Sequence, residues 1–252
     1  MAQEVFIDPP MPDIIEQWKY YYQLLEIEPG DRILDIGCHV GDPALFLYKQ
    51  YPYVKEIVGV DKDKKKIEYA KDRFNENENT PINFITGDAL DLPFGDNSFE
   101  KVICAETIEW IELSSKAIEE IYRVLKPGGI ALIIHTDFDT QVFNTNNLKR
   151  TRNIIHEFTD MGPNGIIGRE LRELCIKGGF KEIEFEVYTL INDKYDENYY
   201  SYKLSKMMKE WLESEDLIDE NELKKWENEL EHLSEENKYY YSINRNICVC
   251  KK

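Results

Sequence analysis

Five acidic residues recur in one local setting, each at or just beyond the end of a short apolar run: Asp35, Asp61, Asp88, Glu106 and Asp137. If those runs are strands of one parallel sheet, the five carboxylates line its carboxyl edge, where ligands of such sheets bind. The position of Asp61 suits a two-oxygen grip on a ribose diol. Asp88, one strand further on, is placed to accept from an exocyclic adenine amine. A nucleoside ligand is implied. The turn after Asp35 reads Gly37-Cys38-His39-Val40-Gly41-Asp42, which meets the dinucleotide pattern G-x-G-x-x-G at one of its three glycines. It also sets Asp42 where a helix N-terminus would receive a pyrophosphate. No Walker A motif is present. What fits is a nucleoside that lacks phosphate and carries positive charge.

Catalytic groups are less sharply drawn. His135 and Asp137 follow the fifth run and are candidates for a general base near neutral pH; a hydrogen-bonded strand-end histidine is the plainer reading. His39 reads as a loop residue, while His156 and His232 fall on helix surfaces without the partner spacing of a metal site. No metal is expected. Trp18 and the Tyr20-Tyr21-Tyr22 run suit helix packing or a cation–π cradle. The Met207-Met208-Trp211 stripe suits core or pocket.

These residues need elements to carry them. Apolar spacing of three and four predicts a helix over Asp13 to Leu25, closed by Pro29-Gly30. Strands follow at Arg32 to Ile36, Glu56 to Val60, Ile82 to Thr86, Lys101 to Ala105 and Ile130 to His135. Helices are expected at Pro43 to Lys49, opened by Asp42 as N-cap, at Lys62 to Phe74 and at Ser115 to Leu125, which Lys126-Pro127-Gly128-Gly129 stops. Strand-helix alternation of this kind predicts a doubly wound α/β fold around a parallel sheet. Beyond His135 come helices near Leu148 to Thr159 and Arg169 to Lys177. A strand at Lys181 to Ile191 follows, with Ile183, Phe185 and Val187 facing inward, and a last strand spans Ile243 to Cys250. Cys248 and Cys250 face one side of that strand as packing residues. Between these two strands, Asn192 to Tyr241 holds 15 acidic and 7 basic residues and two amphipathic helices, the second opened by the capping-box-like Asp219-x-x-Glu222.

Charge and composition bound the rest. The chain has 252 residues, the length of one domain with an insertion, and a net charge of −18, which disfavours nucleic acid and anionic membranes as partners. The opening MAQEVFIDPP lacks the pattern of an export signal, no apolar stretch is long enough for membrane insertion, and five cysteines without C-x-x-C spacing suggest reducing cytoplasm.

S-adenosylmethionine meets the description of the ligand. It has no phosphate, and the acids would attract its ammonium and sulfonium charges. Five motifs in order then carry a resemblance: Ile33 to Gly41 (ILDIGCHVG), Val58 to Asp61, Gly87-Asp88-Ala89 with Leu92-Pro93-Phe94, Ser98 to Val102, and Arg123 to Gly129 (RVLKPGG). The chain resembles class I S-adenosylmethionine-dependent methyltransferases, in the branch of the ubiquinone and menaquinone C-methyltransferases. The resemblance implies a Rossmann-like, seven-stranded, mostly parallel sheet with the last strand antiparallel and a helical insertion before it. Residues 1–252 would form one domain, with residues 1–28 as a helical lid and 192–241 as an acidic cap over the substrate. It implies that Gly37 and Gly41 let backbone approach the methionine portion above Asp35, and that Asp61, with Lys62 beside it, holds the ribose. Asp88 and Ala89 would flank the adenine, and Cys104 would offer a backbone carbonyl to the ammonium. His39 stands at the family's middle glycine. Methyl transfer to a neutral or cationic small molecule is the expected function. A weakened methyltransferase-like scaffold that binds a protein through the acidic insertion is the alternative, and a nicotinamide-dependent oxidoreductase stands third.

Overall fold

The computed structural model describes residues 11–75 and 80–252. The MAQEVFIDPP segment and the first ten residues of the expected lid lie outside the described residues. Two compact units emerge from the packing. One comprises Met1–Gln17, Thr136–Ile166 and Val187–Arg245; the other comprises Trp18–His135, Ile167–Glu186 and Asn246–Lys252. Among the described residues no helix is long and apolar enough to cross a membrane.

The second unit is built on the sheet. Strands β1 (Arg32–Ile36), β2 (Glu56–Asp61), β3 (Ile82–Thr86) and β4 (Phe99–Ala105) lie in the order β3-β2-β1-β4, continued by β5 (Leu125–Phe143), β7 (Tyr241–Lys251) and β6 (Glu182–Asn192). Neighbours from β3 to β5 run parallel. β7 runs antiparallel: the Gly128 N–H at the start of β5 meets the Lys252 carbonyl, and the Asn144 N–H at its other end meets that of Tyr240. The expected seven-stranded sheet with its reversed last strand is therefore present. Its strands read as near-continuous apolar runs because both faces are covered; Ile33, Leu34, Val102 and Ile133 are fully buried. Helix α4 (Ser114–Val124) turns Ala117, Ile118, Ile121 and Val124 inward, the one-sided spacing that its sequence announces.

Register makes the site possible. Ile36 lies opposite both Val60 and Cys104, and Asp61 lies opposite Thr86, so β1 to β4 end nearly level. Two contacts hold this level tight. Gly59 of β2 leaves no room for a side chain, since a Cβ there would stand 2.7 Å from the Phe84 ring and 2.8 Å from the Cys38 sulfur. Arg123 of α4 donates to the Phe94 and Leu92 carbonyls and pairs with Glu120 and Asp96, pinning the loop between β3 and β4.

The structure departs from the sequence-based expectation in three places. β5 does not stop at His135 but runs to Phe143, because β7 gives it an antiparallel partner beyond the reach of β4. On β6 the inward face is Glu186, Tyr188, Leu190 and Asn192, while Phe185 and Val187 are 40% and 48% exposed. Ile183 packs half-buried against the core as the alternation indicates, but the pattern shifts by one residue after it, so Phe185 and Val187 point outward and Glu186 turns in, where it accepts from the Tyr20 hydroxyl. Asp42 is the first residue of α2 (Asp42–Gln50), not its N-cap, and Gly41 takes the cap in the left-handed conformation.

The first unit has a core of its own. Helices α5 (Leu148–Met161), α7 (Tyr200–Ser214) and α8 (Glu220–Glu235) bury Phe158, Met208, Leu212 and the whole of Trp226. Phe143 meets Trp226 edge to face at 5.2 Å and Tyr241 at 4.7 Å. Asp219 caps α8 by accepting from the Asn221 and Glu222 amides, but Glu222 completes no reciprocal box, since its carboxylate goes to Arg150 and Lys225. Asp13, at the start of α1 (Pro12–Leu24), accepts from the Asn192 amide and the Tyr200 N–H.

Replacing Gly59 with alanine overpacks the space shared by Phe84 and Cys38. The expected cost is about 1–3 kcal/mol, read in urea as a lower midpoint with an unchanged m-value.

Candidate functional site

All eight residues singled out for cofactor contact lie in the second unit. Asp35 lies in the buried part of β1, one residue before its end, and is 6% exposed, and its Oδ2 has no hydrogen-bond partner. Burial, then the nearby Asp61 carboxylate, push its pKa up to about 7, and no cation offsets either effect. Among the strand-end acids this is a carboxylate held at a cost, and a cation would relieve it.

The turn that follows is made of backbone. Gly37 and Cys38 both donate to the Val60 carbonyl, at 2.7 and 3.0 Å. Gly37 has φ 77°, and a Cβ on it would fall 1.9 Å from the Thr107 hydroxyl. That hydroxyl donates to the Ala105 carbonyl at 2.9 Å, with the Ile36 carbonyl 3.2 Å away, so it ties the ends of β1 and β4 together. Gly41, at φ 89°, is likewise closed in by the protein, with Phe84 and Phe74 at 2.5 and 3.1 Å from where its Cβ would be. The two glycines are thus required by packing of the turn itself. His39 keeps the left-handed conformation, φ 52°, that the family's glycine would adopt more easily. Histidine is among the residues enriched there, at a cost of roughly 1 kcal/mol. Its N–H donates to Asp61 Oδ2 at 3.1 Å.

Asp61 also accepts from the Asp63 N–H at Oδ1, 2.9 Å. Two backbone donors therefore fix the orientation of the carboxylate while leaving its remaining lone pairs for a diol. Lys62 beside it is exposed. Asp88, exposed on the loop after β3, accepts from the Leu90 N–H at 2.9 Å, and Ala89 packs on the apolar cluster beneath. Cys104 is placed differently. It is paired with Ile36 on one side and Ile133 on the other, and its thiol is buried, with burial and then Glu109 and Asp35 raising its pKa. The ladder runs one residue further, to Ala105 opposite Ile134, so Glu106 is the residue that leaves the sheet.

Three expectations change. Asp42 does not present a bare charge at the helix N-terminus, because its carboxylate pairs with Arg73 at 2.8 Å; the glycine pattern remains the argument against a dinucleotide. His135 and Asp137 do not stand at a strand end. Both are buried within β5, and the His135 ring lies so close to Gly168 that a Cβ there would be 2.5 Å from Nδ1. Sequence reasoning also missed Thr107 and Glu109. Thr107 carries a weak signal, a hydroxyl directly after a strand-end acid. Glu109, 2% exposed between Ile108 and Trp110, carries none, since an acid in a short loop reads as solvated.

A family model described as a methyltransferase domain matches residues 34–133, the stretch that holds every one of these cofactor positions. The O-methyltransferase rstn1 of Aspergillus nomiae is 32% identical over 157 residues, 62% of this chain and 67% of that protein. The chain belongs to the S-adenosylmethionine-dependent methyltransferase family. A second methyltransferase, the demethylmenaquinone methyltransferase of Lactobacillus johnsonii, is 32% identical over 123 residues, 48% of this chain and 50% of that one. Among solved methyltransferases, phosphoethanolamine N-methyltransferase 2 of Haemonchus contortus, in complex with S-adenosyl-L-methionine, shares the fold. Its TM-score is 0.60 at 20% identity, covering 94% of this chain and 53% of that one. The chain spans between 38% and 67% of the length of these and other curated relatives that it matches.

Because the folded Asp35 carboxyl titrates near 7 and the unfolded one in the ordinary carboxylate range, its ionisation in the fold becomes a growing penalty between about pH 4 and pH 7. Asp35→Asn is therefore expected to match the wild type in stability at pH 4. At pH 8 it should exceed it by a few kcal/mol, since each pH unit crossed in that window adds about 1.4 kcal/mol, as measured by urea unfolding without ligand.

Proposed function

We propose that the chain transfers a methyl group from S-adenosylmethionine to a small-molecule acceptor. The observation that carries this reading is the buried, unpartnered Asp35 Oδ2 beside a second carboxylate, Asp61. Such a pair suits a ligand that brings positive charge and repels one that brings phosphate. Asp35 would face the cationic methionine portion, and Asp61 would take the ribose hydroxyls with Lys62 at its flank. Asp88 and Ala89 would border the adenine, and the end of β4 at Cys104 would supply a carbonyl to the ammonium. Gly37 and Gly41 would hold the turn that brings this backbone to the ligand.

When bound, the cofactor supplies a sulfonium-activated methyl group, so the protein's task is alignment and exclusion of water. Two backbone donors keep the Asp61 carboxylate from rotating, and the Thr107 bridge keeps β1 and β4 at one level. A dedicated base is not required for this reading. On the loop after β4, Trp110 is 40% and Leu113 59% exposed. An apolar surface following an acidic edge supports a neutral or cationic organic acceptor over a polyanion. Five buried free thiols suit a reducing compartment.

Calorimetry tests this reading directly. S-adenosylmethionine or S-adenosylhomocysteine is expected to bind and NAD is not, and Asp61→Ala should weaken binding about 10- to 100-fold, the worth of hydrogen bonds to a charged group. No heat at millimolar cofactor, or unchanged affinity in the variant, contradicts the assignment.

A further inference from the structure

Within the first unit, the stretch of sheet formed by β5, β7 and β6 has one covered face. Gln141 and Phe143 of β5, Leu190 and Asn192 of β6 and Tyr241 of β7 are buried, and Phe143 packs on Trp226 of α8. The residues between them point the other way. There Val142, Val187 and Ile191 are each about half exposed, and all three belong to the first unit. Hydrogen bonds fix their places. The Asn144 N–H meets the Tyr240 carbonyl and the Asn244 N–H meets the Thr140 hydroxyl, both at 3.0 Å, which puts Val142 beside Ser242. The Thr189 hydroxyl donates to Asn244 Oδ1 at 2.8 Å. Because β6 and β7 run antiparallel, Ile191 lies on the other flank of Ser242. The polar side chains Thr140, Thr189 and Asn244 thus bond within the face itself. None of the residues turned to it in 140–144, 187–191 and 240–244 is charged.

We infer that this face docks a second copy of the chain, sheet on sheet, in a reversible dimer. Charge selects the occupant. Each copy carries −18, so two copies repel wherever their acids meet, and an uncharged apolar face is the place where they can touch. A cationic partner finds no carboxylate here, and an anionic partner finds no cation. The face is also self-complementary. With a two-fold axis at Ser242, Val142 of each copy meets Ile191 of the other, the reciprocal contact of an isologous interface. Sheets packed face to face lie about 10 Å apart, which lets branched side chains of this kind interdigitate.

Sedimentation velocity over a concentration series is expected to show reversible dimerisation of the full chain. Added salt should strengthen it, because screening removes the repulsion between like-charged copies. Ile191→Lys, which buries an ammonium on each side of the axis, should weaken the dimer at least about tenfold. Val142→Lys should do the same and reads the same contact if the first variant does not fold. Ile176→Lys, at an exposed apolar position on α6 (Leu171–Lys177) in the second unit, should leave the dimer intact. A chain that stays monomeric at every concentration, a dimer that salt weakens, or one that a folded face variant leaves unchanged would overturn the inference, as would an equal loss in Ile176→Lys. The concentration and salt series on the unaltered chain decide the matter even if no variant folds.

Discussion

The structure around the sheet depends on one electrostatic constraint: carboxylates brought to a common edge, with one of them, Asp35, buried beside Asp61 and offset by no cation. A fold tolerates this only where something else holds the acids in place. Here it is backbone. The amides of His39 and Asp63 fix Asp61, those of Gly37 and Cys38 close on Val60, and the Thr107 hydroxyl bridges the ends of β1 and β4. Each device spends local conformational freedom, with positive φ at Gly37, His39 and Gly41, on the position of a charge. Strain and unmatched charge gathered at one place are the marks of a functional site.

The acidity of the first unit has a different character. Several of its acids are paired, with Glu227 held by Lys206 and Lys209 and Arg150 set between Glu222 and Glu229. Beneath them the unit is aromatic, with Phe143, Trp226 and Tyr241 in mutual contact. Net charge alone does not separate these two uses of aspartate and glutamate. Burial does: an acid on a helix surface is screened by solvent or a nearby lysine, whereas Asp35 is buried beside a second carboxylate with no cation to offset it.

The sheet and the row of acids are legible because strand burial and strand-end position are written into local sequence: apolar runs such as Arg32–Ile36 and Glu56–Asp61 fold as their pattern indicates. Long-range pairing is not legible. The continuation of β5 to Phe143 depends on β7, about a hundred residues away, and the shifted alternation of β6 after Ile183 goes with the Tyr20 hydroxyl taking Glu186 inward. The Asp42–Arg73 pair and the burial of Glu109 are hidden for the same reason. The glycines stand out in the sequence as special, but the neighbours that require them do not, since the space they save is filled by Thr107, Phe84 and Phe74 of the protein itself.

If a cation is what Asp35 awaits, binding it must strip the proton from that carboxyl. Titration calorimetry of S-adenosylmethionine near pH 7, repeated in buffers of different ionisation enthalpy, counts that proton. Net proton release is predicted in the wild type and its loss in Asp35→Asn; binding that moves no proton, or the same number in both proteins, would contradict the role given to Asp35.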